Sequence, residues 1–441
     1  MANNRTRGIV VKILAVLLAL SWLAPFAPLA AQDKPQAEQP AVSPLDERAQ
    51  DVLLVLRGEG QVEAVFSPVF LAAVPPVQFK AIATDMTERY GLPLSVEHVA
   101  KLDEQRATVK IRYEHAILSI DLAISADAPN PIAGLLITDV EQINDSAEKL
   151  QTELGTLPGS VSVILTPLEG GEPLLSIEPQ KQLAIGSAFK LYVLSTLARQ
   201  ISNGEHSWDE VVVLSTRSFP SGKMQDWPND APVTLHTLAT MMISISDNTA
   251  TDQLLQIVGR ESVEAELRAS GHASPESNIP FLSTLELFGL KGDLPRGLAY
   301  AAASEPEQRR IIAEFAEEIG GNPDNIVPPN FADPTEIDTL EWFASANDLR
   351  LILKRIEELD DPTARKIMAV NPVVRPTLER NLAYVGSKGG SEPGVINMTF
   401  LLQDSDLEWH VLSMGWNDPE KPVDEALFKG LAERAIALLR R

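Results

Sequence analysis

The chain has 441 residues, with 61 acidic residues against 37 lysines and arginines, a formal net charge of −24 and no cysteine. Such a surface repels both the phosphate backbone of nucleic acids and anionic lipid headgroups, so neither is an expected partner. Without cysteine there is neither a disulfide nor a lipid-bearing thiol, and the six histidines (His98, His115, His206, His236, His272 and His410) are too scattered to ligate a metal, so no cofactor is expected.

Residues 1–31 place Arg5, Arg7 and Lys12 ahead of an apolar run at 13–20 and end in Ala30-Ala31, the order of a cleavable signal peptide; the alternative, an uncleaved N-terminal anchor, is disfavoured because Pro25 and Pro28 break the run. A periplasmic or secreted location follows, with no integral membrane partner implied. Pro35, Pro40 and Pro44 make 32–44 a flexible linker. From 45 to 145 the pattern changes from helical to strand-like. Helices are predicted over 47–57 and 76–90, around the apolar Phe66-Ser67-Pro68-Val69-Phe70-Leu71. Thr108, Lys110, Arg112 and Glu114 then alternate with Val109, Ile111 and Tyr113, and Leu118, Ile120, Leu122 and Ile124 alternate with small or polar residues. A further strand at 132–140 completes helices against an antiparallel sheet, an α+β unit. Asp121 and Asp139 fall on these strands, either aimed into a cone-shaped cavity or, as is commoner, exposed.

The chemistry lies in residues 148–441. Ser187-Ala188-Phe189-Lys190 precedes an apolar run at 191–197, so the serine belongs to the first turn of a buried helix. A lysine three residues on shares its face and reaches its proton, which is how a serine becomes a nucleophile near neutral pH. Ser246-Asp247-Asn248 falls between helical patterns at 234–244 and 249–258 and reads as a rigid loop. Ser246 there serves as a proton relay and Asn248 as an amide clamp. Lys388-Gly389-Gly390 opens an edge hairpin. Its charge favours a neutral Lys190 and attracts a substrate carboxylate. Each segment is weak alone: Ser146-Ala147-Glu148-Lys149 repeats the first, and Ser345-Ala346-Asn347 echoes the second. Only the ordered triple is specific.

That triple resembles the active site of the penicillin-recognising serine hydrolases, the superfamily of class A β-lactamases and penicillin-binding proteins. The resemblance covers about 148–441, with first strands at 160–166 and 173–177 and last strands and helix at 394–403, 408–415 and 423–439. It implies a β-lactamase/transpeptidase-like fold, an antiparallel sheet lobe plus an all-helical lobe. It makes Ser187 the nucleophile, Lys190 the acylation base and Ser246 the shuttle to the leaving group. It places Asn248, Lys388, Gly390 and Ser391 on the substrate, with the Ser187 and Ser391 amides as oxyanion hole. The N-terminal layout, with Phe66 to Pro75, resembles the ketosteroid-isomerase-like (cystatin-like) domain of the two-domain β-lactamase-like type from the clavulanic acid gene cluster.

Two departures shape the expected activity. The Glu-x-x-Leu-Asn segment that orients the deacylating water in class A enzymes is absent; Asp333, Glu336 and Glu341 occupy about its place, as substitutes or as solvated loop carboxylates. Gly389 stands where the family carries a hydroxyl. The expectation is an acyl-enzyme on Ser187 that turns over a small-molecule substrate, a β-lactam or small ester, as a weak β-lactamase. The alternatives are a D-alanyl-D-alanine carboxypeptidase-type penicillin-binding protein and a catalytically weak receptor for a small molecule or protein. The stretch at 291–326 reads as extra helices near the cleft, and Trp227 either lines its mouth or packs on its own loop.

Overall fold

The computed structural model describes residues 43–440 except 144, 220 and 321, so the expected signal peptide and all but the end of the linker lie outside the described residues. Helices α1 (Pro44–Leu56) and α2 (Pro76–Tyr90) pack on an antiparallel sheet of β1 (Pro93–Lys101), β2 (Arg106–Tyr113), β3 (Ala116–Ile124) and β4 (Ile132–Gln142), paired in chain order. The two-residue period decides the packing: Ala107, Val109, Ile111 and Tyr113 join Leu118, Ile120, Leu122 and Ile124 in one core with Leu45, Val52, Phe79 and Met86. Strand β1 was not expected. It lies at the sheet edge and its register shifts between Pro93 and Ser95 and between Val96 and His98, which erases the alternation. Asp121 is exposed and accepts from Thr108 Oγ1 at 2.9 Å, while Asp139 ion-pairs with Arg375 at 3.3 Å. Neither is buried in that core.

The rest of the chain builds a second sheet from both of its ends. Following α3 (Ala147–Gly155), strands β5 (Ser160–Pro167) and β6 (Leu175–Ile177) come first. Far along the chain come β7 (Tyr384–Ser387), β8 (Gly390–Glu392), β9 (Val395–Gln403) and β10 (Trp409–Asn417). Their spatial order is β7-β9-β10-β5-β6, all antiparallel, with β8 also on β9. Helix α3 and the C-terminal helix α13 (Glu425–Ala437) cover one face through Leu150, Leu154, Phe428 and Leu431.

Between these strands lies the helical lobe: α4 (Lys190–Ser202), α5 (Leu235–Ser244), α6 (Asn248–Val258), α7 (Arg260–Ala269), α8 (Thr284–Gly292), α9 (Leu294–Ala301), α10 (Glu305–Ile319), α11 (Ala346–Glu357) and α12 (Thr363–Met368). At its centre is α4, buried all along residues 190–198, where Leu191, Val193, Leu194 and Leu197 carry the apolar packing. Leu191, Leu194 and Leu197 are fully buried, so each truncation to alanine is expected to cost ~2–5 kcal/mol. The extra helices foreseen at 291–326 are α9, α10 and a short 3₁₀ turn at Pro323–Asn325. Trp227 packs against the helical core and does not line the cleft. Among the described residues, no helix is long and apolar enough to cross a membrane.

Candidate active site

The two repeat motifs are structural. Ser146 caps α3 by accepting from Lys149 N, and Ser345 caps α11 in a capping box with Asp348. Ser187 lies instead in a 3₁₀ turn, Gly186–Phe189, immediately before α4, and half-buried at the edge of a cleft of about 370 Å³. Ser246, Asn248, Lys388, Gly390 and Ser391 line the same cleft, so the three segments, far apart in sequence, meet.

The loop between α5 and α6 is held by Asp247, which is fully buried. Its carboxylate accepts from Ala250 N at 2.9 Å, capping α6, and from Lys223 N and Met224 N at 2.6 and 2.9 Å. Gly222, at φ +114°, is required where that carboxylate crosses, because a Cβ there would collide with it. The clamp forces Ser246 into the left-handed region at φ +59°. That backbone turns the Ser246 carbonyl toward Lys190 and its hydroxyl between the two lysines.

Lys190 Nζ donates to Ser246 O at 2.7 Å, to Ser246 Oγ at 3.0 Å and to Asn248 Oδ1 at 2.7 Å, and Lys388 Nζ donates to Ser246 Oγ at 3.1 Å and to Gly389 O. Burial above all, and then the charge of Lys388, hold Lys190 well below the usual amine range, against the pull of Asp252 and Asp247. Burial brings Lys388 down to about 7. Among the described residues Ser187 Oγ makes no hydrogen bond; Lys190 spends its donors on Ser246 and Asn248. The amine that the motif aims at the serine is directed instead by these acceptors. Asn248 is correspondingly engaged: its amide also donates to Phe219 O at 3.0 Å, so it orients Lys190.

Gly390 and Gly186 set the other wall. A methyl on Gly390 would collide with the Ser187 nitrogen, and one on Gly186 would sit 3.2 Å from the Ser391 nitrogen. Two backbone amides therefore flank a pair of glycines at the serine, a geometry suited to an oxyanion. Phe288 and Phe331, edge to face at 5.6 Å, with Leu287, make an apolar side of the cleft.

Of the three acidic candidates for a water-activating base, Asp333 is exposed and Glu336 is bonded to Thr339 at 2.7 Å. Only Glu341 lines the cleft. It is paired with two residues that sequence reasoning missed: Lys291 donates to Glu341 Oε1 at 2.6 Å and to Glu392. Lys291 and Glu392 stand 101 residues apart in otherwise ordinary charged surroundings, so no local pattern marks them.

A model of the beta-lactamase enzyme family matches residues 145–435. No curated protein matches the chain. Among solved structures the chain is similar to PBP-A, with 15% identity over 67% of this chain and 94% of that one and a TM-score of 0.46. It is similar too to a beta-lactamase from Sphaerobacter thermophilus, with 18% identity over 67% and 94% at 0.44, and to one from Chitinophaga pinensis, with 18% identity over 66% and 97% at 0.46. The family match spans well over half of the chain, from just before α3 into α13, and on it the chain belongs to the beta-lactamase enzyme family, as a serine hydrolase of the β-lactamase-like kind.

Proposed function

We propose that the protein is an exported hydrolase that forms an acyl-enzyme on Ser187 and acts on β-lactams or small esters, as a weak β-lactamase. Lys190 is the acylation base, Ser246 carries a proton to the leaving group, the Ser187 and Ser391 amides hold the oxyanion, and Lys388 anchors a substrate carboxylate. The observation that carries this reading is Ser246 Oγ placed 3.0 Å from one buried amine and 3.1 Å from another. Two ammonium groups on one hydroxyl repel each other, so the more deeply buried Lys190 is the one that sheds its proton; as a neutral amine it keeps two donors and accepts from Ser246 Oγ, and it serves as base. Lys190 is held by Asn248 in the resting enzyme and turns to Ser187 once substrate is bound, since catalytic hydrogen bonds tighten in the complex. We assign an N-terminal ketosteroid-isomerase-like unit to 45–145 and the hydrolase to 148–441, a division supported by their separate hydrophobic cores.

The test is intact-mass spectrometry after mixing with penicillin G or p-nitrophenyl acetate. Ser187→Ala should lose all covalent labelling with both reagents. In the wild type the penicilloyl adduct should outlive the acetyl adduct, because a bulky acyl group obstructs the approach of water. Labelling that persists in Ser187→Ala would falsify the assignment.

A further inference from the structure

The cleft wall holds a second group of charges that acylation does not use. Lys291 of α8 sits between Glu341 and Glu392, and the Lys291 and Glu341 side chains are each 1% exposed while that of Glu392 is 12% exposed. Both oxygens of Glu341 are taken, one by Lys291 at 2.6 Å and the other by the Trp342 N–H at 3.2 Å. Glu341 and Glu392 both line the cleft, and Glu392, which also shares a hydrogen bond with Glu341, is the more exposed of the two. It also follows directly on Ser391, whose amide stands beside the turn bearing Ser187. Trp342 ties the group to that turn: its carbonyl accepts from Ile185 N at 3.0 Å and its indole stacks on Phe189 at 3.7 Å between centroids. A lone buried carboxylate is costly, and a buried ion group with one carboxylate to spare is a poor device for stability alone.

We propose that Glu392 is the general base of the second half-reaction, holding and deprotonating the water that hydrolyses the acyl-enzyme, with Lys291 and Glu341 as positioning residues. This rests on the acyl-enzyme reading above. The water oxygen bonds to the acyl carbon as its proton passes to the Glu392 carboxylate. The oxyanion then collapses, the bond from the acyl carbon to Ser187 Oγ breaks, and Glu392 returns the proton to Oγ, leaving a free carboxylic acid and a regenerated serine. Burial first, and then the charge of Glu341, hold the Glu392 carboxyl well above the usual carboxylate range, with Lys291 opposing them. The charged groups in contact with it are thus Lys291 from α8 and Glu341 from the loop before α11, and Lys388, Glu425 and Lys429 line the same cleft. A base raised in this way is deprotonated only at higher pH, so deacylation should rise with pH through its titration.

The experiment follows the burst and the steady state of p-nitrophenyl acetate hydrolysis, with the acetyl adduct tracked by intact mass. E392Q should acylate within about threefold of the wild-type rate and deacylate ~10²-fold or more slowly, and it should lose the rising pH limb of deacylation. A merely structural glutamate would slow both steps together and leave the pH limb in place. Deacylation of E392Q at the wild-type rate, or equal loss in both steps, overturns the proposal. If E392Q does not acylate at all, the wild-type profile decides, and deacylation independent of pH overturns it. A wild-type enzyme that never labels Ser187 sinks the acyl-enzyme reading itself, which separates the two failures.

Discussion

Ser246 holds the electrostatics of the site, because its strained backbone aims one hydroxyl and one carbonyl at two buried amines. Lys388, brought to about 7 by burial, loses its charge within the physiological range. An amine is charged below its pKa, so the charge that the proposed carboxylate anchor needs is present below about 7 and is lost as pH rises through it. For a carboxylate-bearing substrate, kcat/KM, which reports the free enzyme, should fall as pH rises through about 7, whereas a neutral ester should show no such fall. Identical profiles for the two substrates would show that Lys388 does not bind the carboxylate.

At the scale of elements, the site exists because a strand edge meets a turn. β8 presents Gly390 to the 3₁₀ turn of Ser187 so closely that a single methyl has no room between the two backbones. Gly390→Ala must push the Ser187 and Ser391 amides apart. Removing one oxyanion donor costs ~10²–10³-fold in rate, so the acylation burst should slow by at least ~10²-fold, with the far-UV circular dichroism unchanged. A near-normal burst would mean that these amides are not the oxyanion hole. This contact joins segments about 200 residues apart, and in sequence it shows only as a glycine pair after Lys388.

For the whole molecule, the N-terminal helices and sheet bury one core and the hydrolase fold buries others, and arginines tie them together. Arg375 donates to Val140 O at 2.9 Å and pairs with Asp139, and Arg434 on α13 grips Asp145 at 2.8 and 3.0 Å and Glu153 on α3. Burial works against the Asp145 charge, but the Arg434 guanidinium outweighs it and holds the carboxyl below its ordinary value. A depressed carboxylate contributes stability above its unfolded pKa of ~3.9 and loses it as pH falls through the folded value. Arg434→Ala should therefore destabilise by ~2–3 kcal/mol at pH 7, by urea denaturation, with the difference shrinking in acid. An effect independent of pH would rule out the ion pair as its source.

The local grammar of the chain determined much by itself. The two-residue alternation of β2 and β3, the apolar run of α4, and the ordered triple of Ser187, Ser246 and Lys388 motifs are all short-range patterns, and local physics makes them legible. Only the tertiary structure decided which acceptors hold Lys190, that Asn248 steers that lysine, that Glu341 rather than Asp333 or Glu336 reaches the cleft, and that Lys291 and Glu392 stand with it. The reason is physical. A charged residue in sequence looks the same whether solvent or a distant partner satisfies it, and burial, which sets its pKa and its role, is a property of elements packed together.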